Sequence, residues 1–170
     1  EKDKEVRENN IDIEMQVKKY PSMPERALFY SGKLISAGLG KGEEYKSLKQ
    51  VIIISILDYE LFPFEEYLGE TVTVLKNHRE HEIMNGQKFY FIELPKFRRQ
   101  KPELENALEC WLALIDYKDK GLIKMAEEKE QIIKEAKEDF EEILTEGALK
   151  EIIEFRESAE RDEASAKYWA

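Results

Sequence analysis

Residues 11–16 read Ile-Asp-Ile-Glu-Met-Gln, an alternation that a β-strand sorts onto its two faces. Ile11, Ile13 and Met15 share one face, while Asp12, Glu14 and Gln16 share the other, about 7 Å apart per step. With the apolar face seated on a core, two carboxylates and an amide stand in a row. Hard divalent cations take carboxylate, carbonyl and water oxygens. The row is therefore the best candidate in the sequence for a metal-dependent phosphodiester chemistry. The other reading of the same spacing is the solvent face of an edge strand, since any half-buried strand alternates.

No second cluster competes. His78 and His81 stand with Glu80 and Glu82 in a polar segment that reads as a solvated connection between strands. Gly38, Gly40 and Gly42 lack the Gly-Lys-Ser/Thr ending of a phosphate-binding loop and suit the end of a helix. Cys110 is the single cysteine, which excludes an internal disulfide and any multi-cysteine zinc site. Beside Trp111 and Leu112 it reads as a small buried hydrophobe in a chain of the reducing cytoplasm.

The elements that must position the row follow from periodicity. Strand 11–17 is followed by Pro21 and Pro24, and Pro24 suits the first turn of a helix over 25–37. Residues 43–48 suggest one helical turn. Val51–Leu57 is an apolar, mostly β-branched run, the pattern of a strand buried on both faces. Residues 71–75 and 88–94 read as two more strands joined by a polar connection, with Pro95 stopping the second. Beyond Pro102 the pattern turns helical, around Leu104–Ile115, then over 122–144 and 149–168. The expected architecture is an α/β core over 1–101 and an acidic helical extension over 102–170.

Charge divides the same way. The chain of 170 residues has a net charge of −10. Residues 1–101 hold 17 basic and 17 acidic side chains, and residues 102–170 hold 10 and 20. A neutral core with lysines at 18, 19, 41, 46 and 49 and a basic stretch over 96–101 leaves phosphate contact open. No apolar run reaches the ~18 residues of a membrane span, and no secretory leader is visible.

Five stretches together resemble a known family. They are Asn10–Gln16, Glu25–Leu34, Leu39–Tyr45, Val51–Asp58 and Phe91–Phe97, with Arg161–Ser165 near the end. In this order the chain resembles the recombination-promoting nuclease and transposase family, a branch of the PD-(D/E)xK nuclease superfamily. The resemblance implies a nuclease-like mixed sheet and a DNA endonuclease that uses Mg²⁺ or Mn²⁺. It makes Glu14 the acid of the (D/E)xK half-motif and a metal ligand, puts Gln16 where the lysine stands, and adds the carbonyl of Met15 as a ligand. Asp12 supports the row, and Arg26 and Tyr30 match polar positions on the helix behind it. The motif's first acid, an aspartate on a preceding strand, has no match here, since the neighbours of Asp3 read as a connecting turn. The competing reading is a non-catalytic interaction module, with a protein partner or a second copy bound through the C-terminal helices.

Residues 121–170 carry 15 acidic and 8 basic side chains, which repel phosphate within a screening length of ~10 Å at 0.1 M salt. Removing them is expected to strengthen non-specific DNA binding most at low salt. A gel-shift titration with circular dichroism checks this, and a folded truncation that binds no better contradicts it.

Overall fold

The computed structural model describes residues 9–84 and 86–145. Strand β1 (Asn10–Gln16) leads into helix α1 (Met23–Ala37) and returns as β2 (Val51–Leu57), after a single 3-10 turn at Tyr45–Ser47. Short strands β3 (Leu68–Glu70) and β4 (Thr73–Leu75) precede β5 (His78–Met84) and β6 (Gln87–Glu93). Helices α2 (Leu94–Gln100), α3 (Ala107–Asp116), α4 (Lys120–Lys129) and α5 (Gln131–Thr145) complete the described chain. The main sheet has the order β1-β2-β6-β3, with β3 antiparallel to β6 and the other pairs parallel. This is the mixed α/β sheet expected of a PD-(D/E)XK nuclease-like fold, with C-terminal helices following it. No described helix is long and apolar enough to cross a membrane.

A parallel pair needs a crossover, and α1 provides it. Met23, Ala27 and Ser31 recur every four residues and form its buried stripe. That stripe packs on Val51, Ile53, Leu57 and Phe91. Paired residues of a parallel ladder point the same way, and the register sets Asp12 beside Ile53, Glu14 beside Ser55 and Gln16 beside Leu57. The acid-bearing face of β1 is therefore the one under α1. This corrects the expectation that its apolar face sits on the core: Ile11, Ile13 and Met15 are 58%, 63% and 49% exposed. Among the described residues β1 is an edge strand, as one reading held, but its polar side chains are the half-buried set.

Four further elements differ from the sequence pattern. The polar segment 76–87 contains β5, which pairs antiparallel with β4 as a separate ribbon with shifted register. Residues 78–83 are exposed on both faces, so the ribbon carries no apolar alternation. His78 and His81 lie there, exposed, each near Glu80. Of the strand expected over 71–75 only Thr73–Leu75 is strand, as β4, and a separate short strand, β3, precedes it at Leu68–Glu70. Pro95 does end a strand, yet it stands in the first turn of α2, where its missing N–H costs nothing. The helix expected over 122–144 is broken at Glu130, whose backbone is extended, into α4 and α5. Residues 1–8 with Asp3, the helix expected over 149–168 and the Arg161–Ser165 stretch lie outside the described residues.

The chain forms two compact units, 1–102 and 103–170. In the second, Cys110, Leu112 and Ala113 of α3 are buried with Ile123 and Ala126 of α4 and Ile133 of α5. Asn106 and Asp119 cap α3 and α4 with side-chain acceptors. A truncation at 121 removes α4 and α5 from this helical core, so a cut after Pro102 follows the joint more closely.

In the first unit three cations of the basic stretch 96–101 are paired with carboxylates, and Lys96 is buried, while Lys101 is exposed. Lys96 and Glu93 are 1% and 2% exposed and lie 2.7 Å apart. Lys96 also donates to the Phe62 carbonyl at 3.0 Å, and Glu93 accepts from the Leu61 N–H at 2.6 Å and the Phe62 N–H at 3.3 Å. Arg98 pairs with Asp58, and Arg99 with Glu60. Removing one member of a buried pair leaves its partner charged and unmatched, at a cost of about 3–5 kcal/mol. Lys96→Ala should lower stability by that amount in urea titration. Combining it with Glu93→Gln should cost clearly less than the two single losses added, and strict additivity would show that the pair is not coupled.

Candidate active site

Glu14 sits at the middle of β1, with Ser55 beside it on β2 and α1 above it. Two donors converge on its Oε1: Arg26 Nη2 at 2.5 Å and Gln16 Nε2 at 2.5 Å. The carboxylate is 23% exposed and the guanidinium 37%. Arg26 is in the first turn of α1, and its guanidinium lies 5.2 Å from the Tyr30 ring centroid and 5.9 Å from that of Tyr20. The aromatic faces hold the cation over the acid. The hydrogen bond to Glu14 raises the Arg26 pKa above its ordinary value against the opposing effect of burial, and the charge of Glu14 adds to it. Tyr59 is buried nearby. Burial pushes its phenol up, and the negative charge of Glu14 raises it further, while its hydroxyl has no hydrogen-bond partner among the described residues.

The backbone of β1 has its own polarity. Asn10 donates its N–H to Gln50, and Gln16 accepts at its carbonyl from Asp58, so even-numbered residues turn their peptide groups toward β2. By strand alternation the N–H and C=O groups of Ile11, Ile13 and Met15 point away from β2, to an edge on which no described strand pairs. The Met15 carbonyl, next to Glu14, thus lies outside the ladder with β2.

The sequence-predicted residues come together here. Asp12, Ile13, Glu14, Arg26 and Tyr30 line one cleft of about 280 Å³. Gln16 is tied to Glu14 directly. Missed by sequence reasoning were Ser55, Tyr20 and Tyr59. Ser55 had a visible signal, as the single hydroxyl in an apolar strand. It is fully buried, and its Oγ has no hydrogen-bond partner among the described residues; neither has Arg26 Nε.

The donors suit a hard cation in kind. Mg²⁺ is commonly held by one or two carboxylates and completed by water and substrate phosphate rather than by a full protein cage. Glu14, the Met15 carbonyl and Asp12 supply that much. Among the described residues no group of three His, Cys, Asp or Glu side chains is assembled for a metal.

The site is thus an acid and an amide two residues apart on a mixed sheet, covered by a helix that bears an arginine and a tyrosine. The chain belongs to the PD-(D/E)XK nuclease family transposases, whose family model matches residues 2–170. No curated protein and no solved structure matches it.

The ion pair and a cation bound at Glu14 would compete for the charge of the same carboxylate. A half-exposed pair is worth up to about 1 kcal/mol, so Arg26→Ala should tighten Mn²⁺ binding roughly two- to fivefold. Isothermal calorimetry checks this. Weaker binding in the variant would mean that Arg26 orients Glu14 for the ion rather than opposing it.

Proposed function

We propose that this chain hydrolyses DNA phosphodiester bonds with a divalent cation, Mg²⁺ or Mn²⁺, at the Glu14 edge of the sheet. The observation that carries the reading is the arrangement around that carboxylate. Arg26 and Gln16 occupy Oε1, while no described group claims Oε2, and the Met15 carbonyl points to the same open edge. The family's nuclease character supports the chemistry. A cytoplasmic setting agrees with the single buried thiol.

Glu14 and the Met15 carbonyl would hold the ion, with Asp12 one step along the strand in support. The bound ion would polarise the scissile phosphate and ease loss of a proton from the attacking water. Gln16 has no titratable proton near neutral pH, so it positions water or phosphate through its amide and is not a general base. Arg26, once exchanged from Glu14, would donate to a phosphate oxygen, with Tyr30 limiting its travel. The superfamily's first acid stands on a strand beside this one. The open edge of β1, flanked by the exposed Ile11, Ile13 and Met15, is where such a strand would pair.

Plasmid nicking in Mg²⁺ tests the reading. Glu14→Ala should lower the rate at least about a hundredfold, as expected for loss of a principal electrostatic group. Gln16→Ala should retain more activity than Glu14→Ala. Equal nicking by parent and Glu14→Ala would remove Glu14 from the chemistry. Absence of both nicking and Mn²⁺ heat in the parent would favour the non-catalytic interaction module.

A further inference from the structure

A second, larger cleft of about 650 Å³ adjoins the first. It runs between the start of β1 and the end of α1, and Asp12 and Tyr30 line both. Its volume lies in the range of small-ligand sites. Its walls have three kinds of chemistry in sequence along the groove. At the Glu14 end stands the Asp12 carboxylate. Leu34 and Ala37 of α1 form an apolar stretch. Asn9 and Asn10 bring amides that can donate and accept.

Lys33 supplies the cation. Its ammonium lies 4.6 Å from the Phe29 ring centroid and 5.6 Å from that of Tyr30, and the two rings meet edge to face. Among the described residues no carboxylate pairs with it, unlike Lys46, Lys88, Lys96 and Lys137. A lysine seated on aromatic faces keeps its N–H donors for a ligand, and exposed rings offer a stacking surface to a base.

We propose that this cleft is a nucleotide subsite, taking one unstacked nucleotide of the DNA strand beside the bond to be cut. The phosphate meets Lys33, the base lies against Tyr30 and the apolar wall, and the asparagine amides reach its polar edge. The carboxylate of Asp12 directs the phosphate away from its own end of the groove and toward Lys33. This assignment rests on the nuclease reading, because only a DNA substrate at Glu14 brings a strand past Tyr30.

Fluorescence anisotropy with a labelled single-stranded oligonucleotide of about 12 nucleotides tests it on the whole chain, in Mg²⁺-free buffer so that nothing is cleaved. Lys33→Gln should weaken binding about tenfold at low salt and reduce the salt slope by about one, the signature of one lost phosphate contact. Ala37→Trp, at an exposed helix position in the cleft wall, should weaken binding with the slope unchanged, because it fills space without removing charge. Lys46→Gln, outside the cleft and paired with Glu44, should bind as the parent does. Circular dichroism confirms that each variant is folded. Equal binding by the parent, Lys33→Gln and Ala37→Trp overturns the subsite and leaves the nuclease reading intact. A parent that binds no DNA overturns both.

Discussion

The parallel pairing of β1 with β2, with Glu14 beside Ser55, is the constraint from which the site follows. Parallel partners keep their side chains on the same face, so the helix that must connect them also covers whatever that face bears. On β2 and β6 the covered residues are Val51, Ile53, Leu57 and Phe91, an ordinary core. On β1 they are Asp12, Glu14 and Gln16, at the margin where the cover ends. The acid is thereby dry enough to hold Arg26 closely and open enough to meet a substrate. A shift by one residue would exchange these side chains for Ile11, Ile13 and Met15, giving a better core and no site. The exposed isoleucines are the cost of keeping carboxylates under the helix.

The buried Glu93–Lys96 pair secures the opposite side of the same unit. Glu93 lies in register with Leu57 at the end of the parallel ladder. Its second oxygen takes the N–H groups of Leu61 and Phe62, and Lys96 takes the Phe62 carbonyl. The loop after β2 is thus tied to the start of α2 by charges with no other place to turn. Phe62 then reaches the Phe91 ring, 5.3 Å between centroids, on the core side. A buried ion pair is weak evidence for added stability, because desolvation offsets attraction. Its effect here is geometric: it fixes one path for residues 58–67, so Tyr59, on that path, has a defined position near Glu14.

Much of this was legible, and the rest failed for specific reasons. Val51–Leu57 was readable as a central strand because both faces are apolar, and α1 because its stripe repeats every four residues. Alternation in β1 told which side chains share a face, but it is symmetric and cannot say which face is covered. That was decided by the stripe of α1, Met23, Ala27 and Ser31, on a different element. β5 was invisible because a solvated ribbon imposes no apolar pattern on His78–Met84. α2 was hidden because proline both ends strands and begins helices. Lys96, Arg98 and Arg99 looked like a phosphate patch since sequence counts charges without their partners. At the site the reverse held. Asp12, Glu14, Gln16, Arg26 and Tyr30 were named in advance from a strand's period, a helical spacing and a family resemblance, and the fold brings them together. Ser55 was overlooked because a hydroxyl within an apolar run reads as an interruption rather than as a group placed beside an acid.

The charge distribution gives these observations a common direction. Once Lys96, Arg98 and Arg99 are engaged by Glu93, Asp58 and Glu60, the first unit presents fewer basic groups to a polyanion than its count suggests. Non-specific affinity scales with the phosphates a surface can neutralise, so a chain of net −10 cannot hold DNA by its general field. On the proposed reading, DNA binding would have to come from a few well-placed donors acting over short distances. Arg26 and Lys33 are two such donors, seven residues apart on α1, and Tyr30 stands between them with its ring near both. One guards the acid and the other stands at the adjoining cleft. Spacing of seven places them on one side of the helix, two turns apart or roughly 10 Å. That interval exceeds the ~7 Å between consecutive phosphates of an extended strand, so the two cations would engage different phosphates and set the strand's register across Glu14.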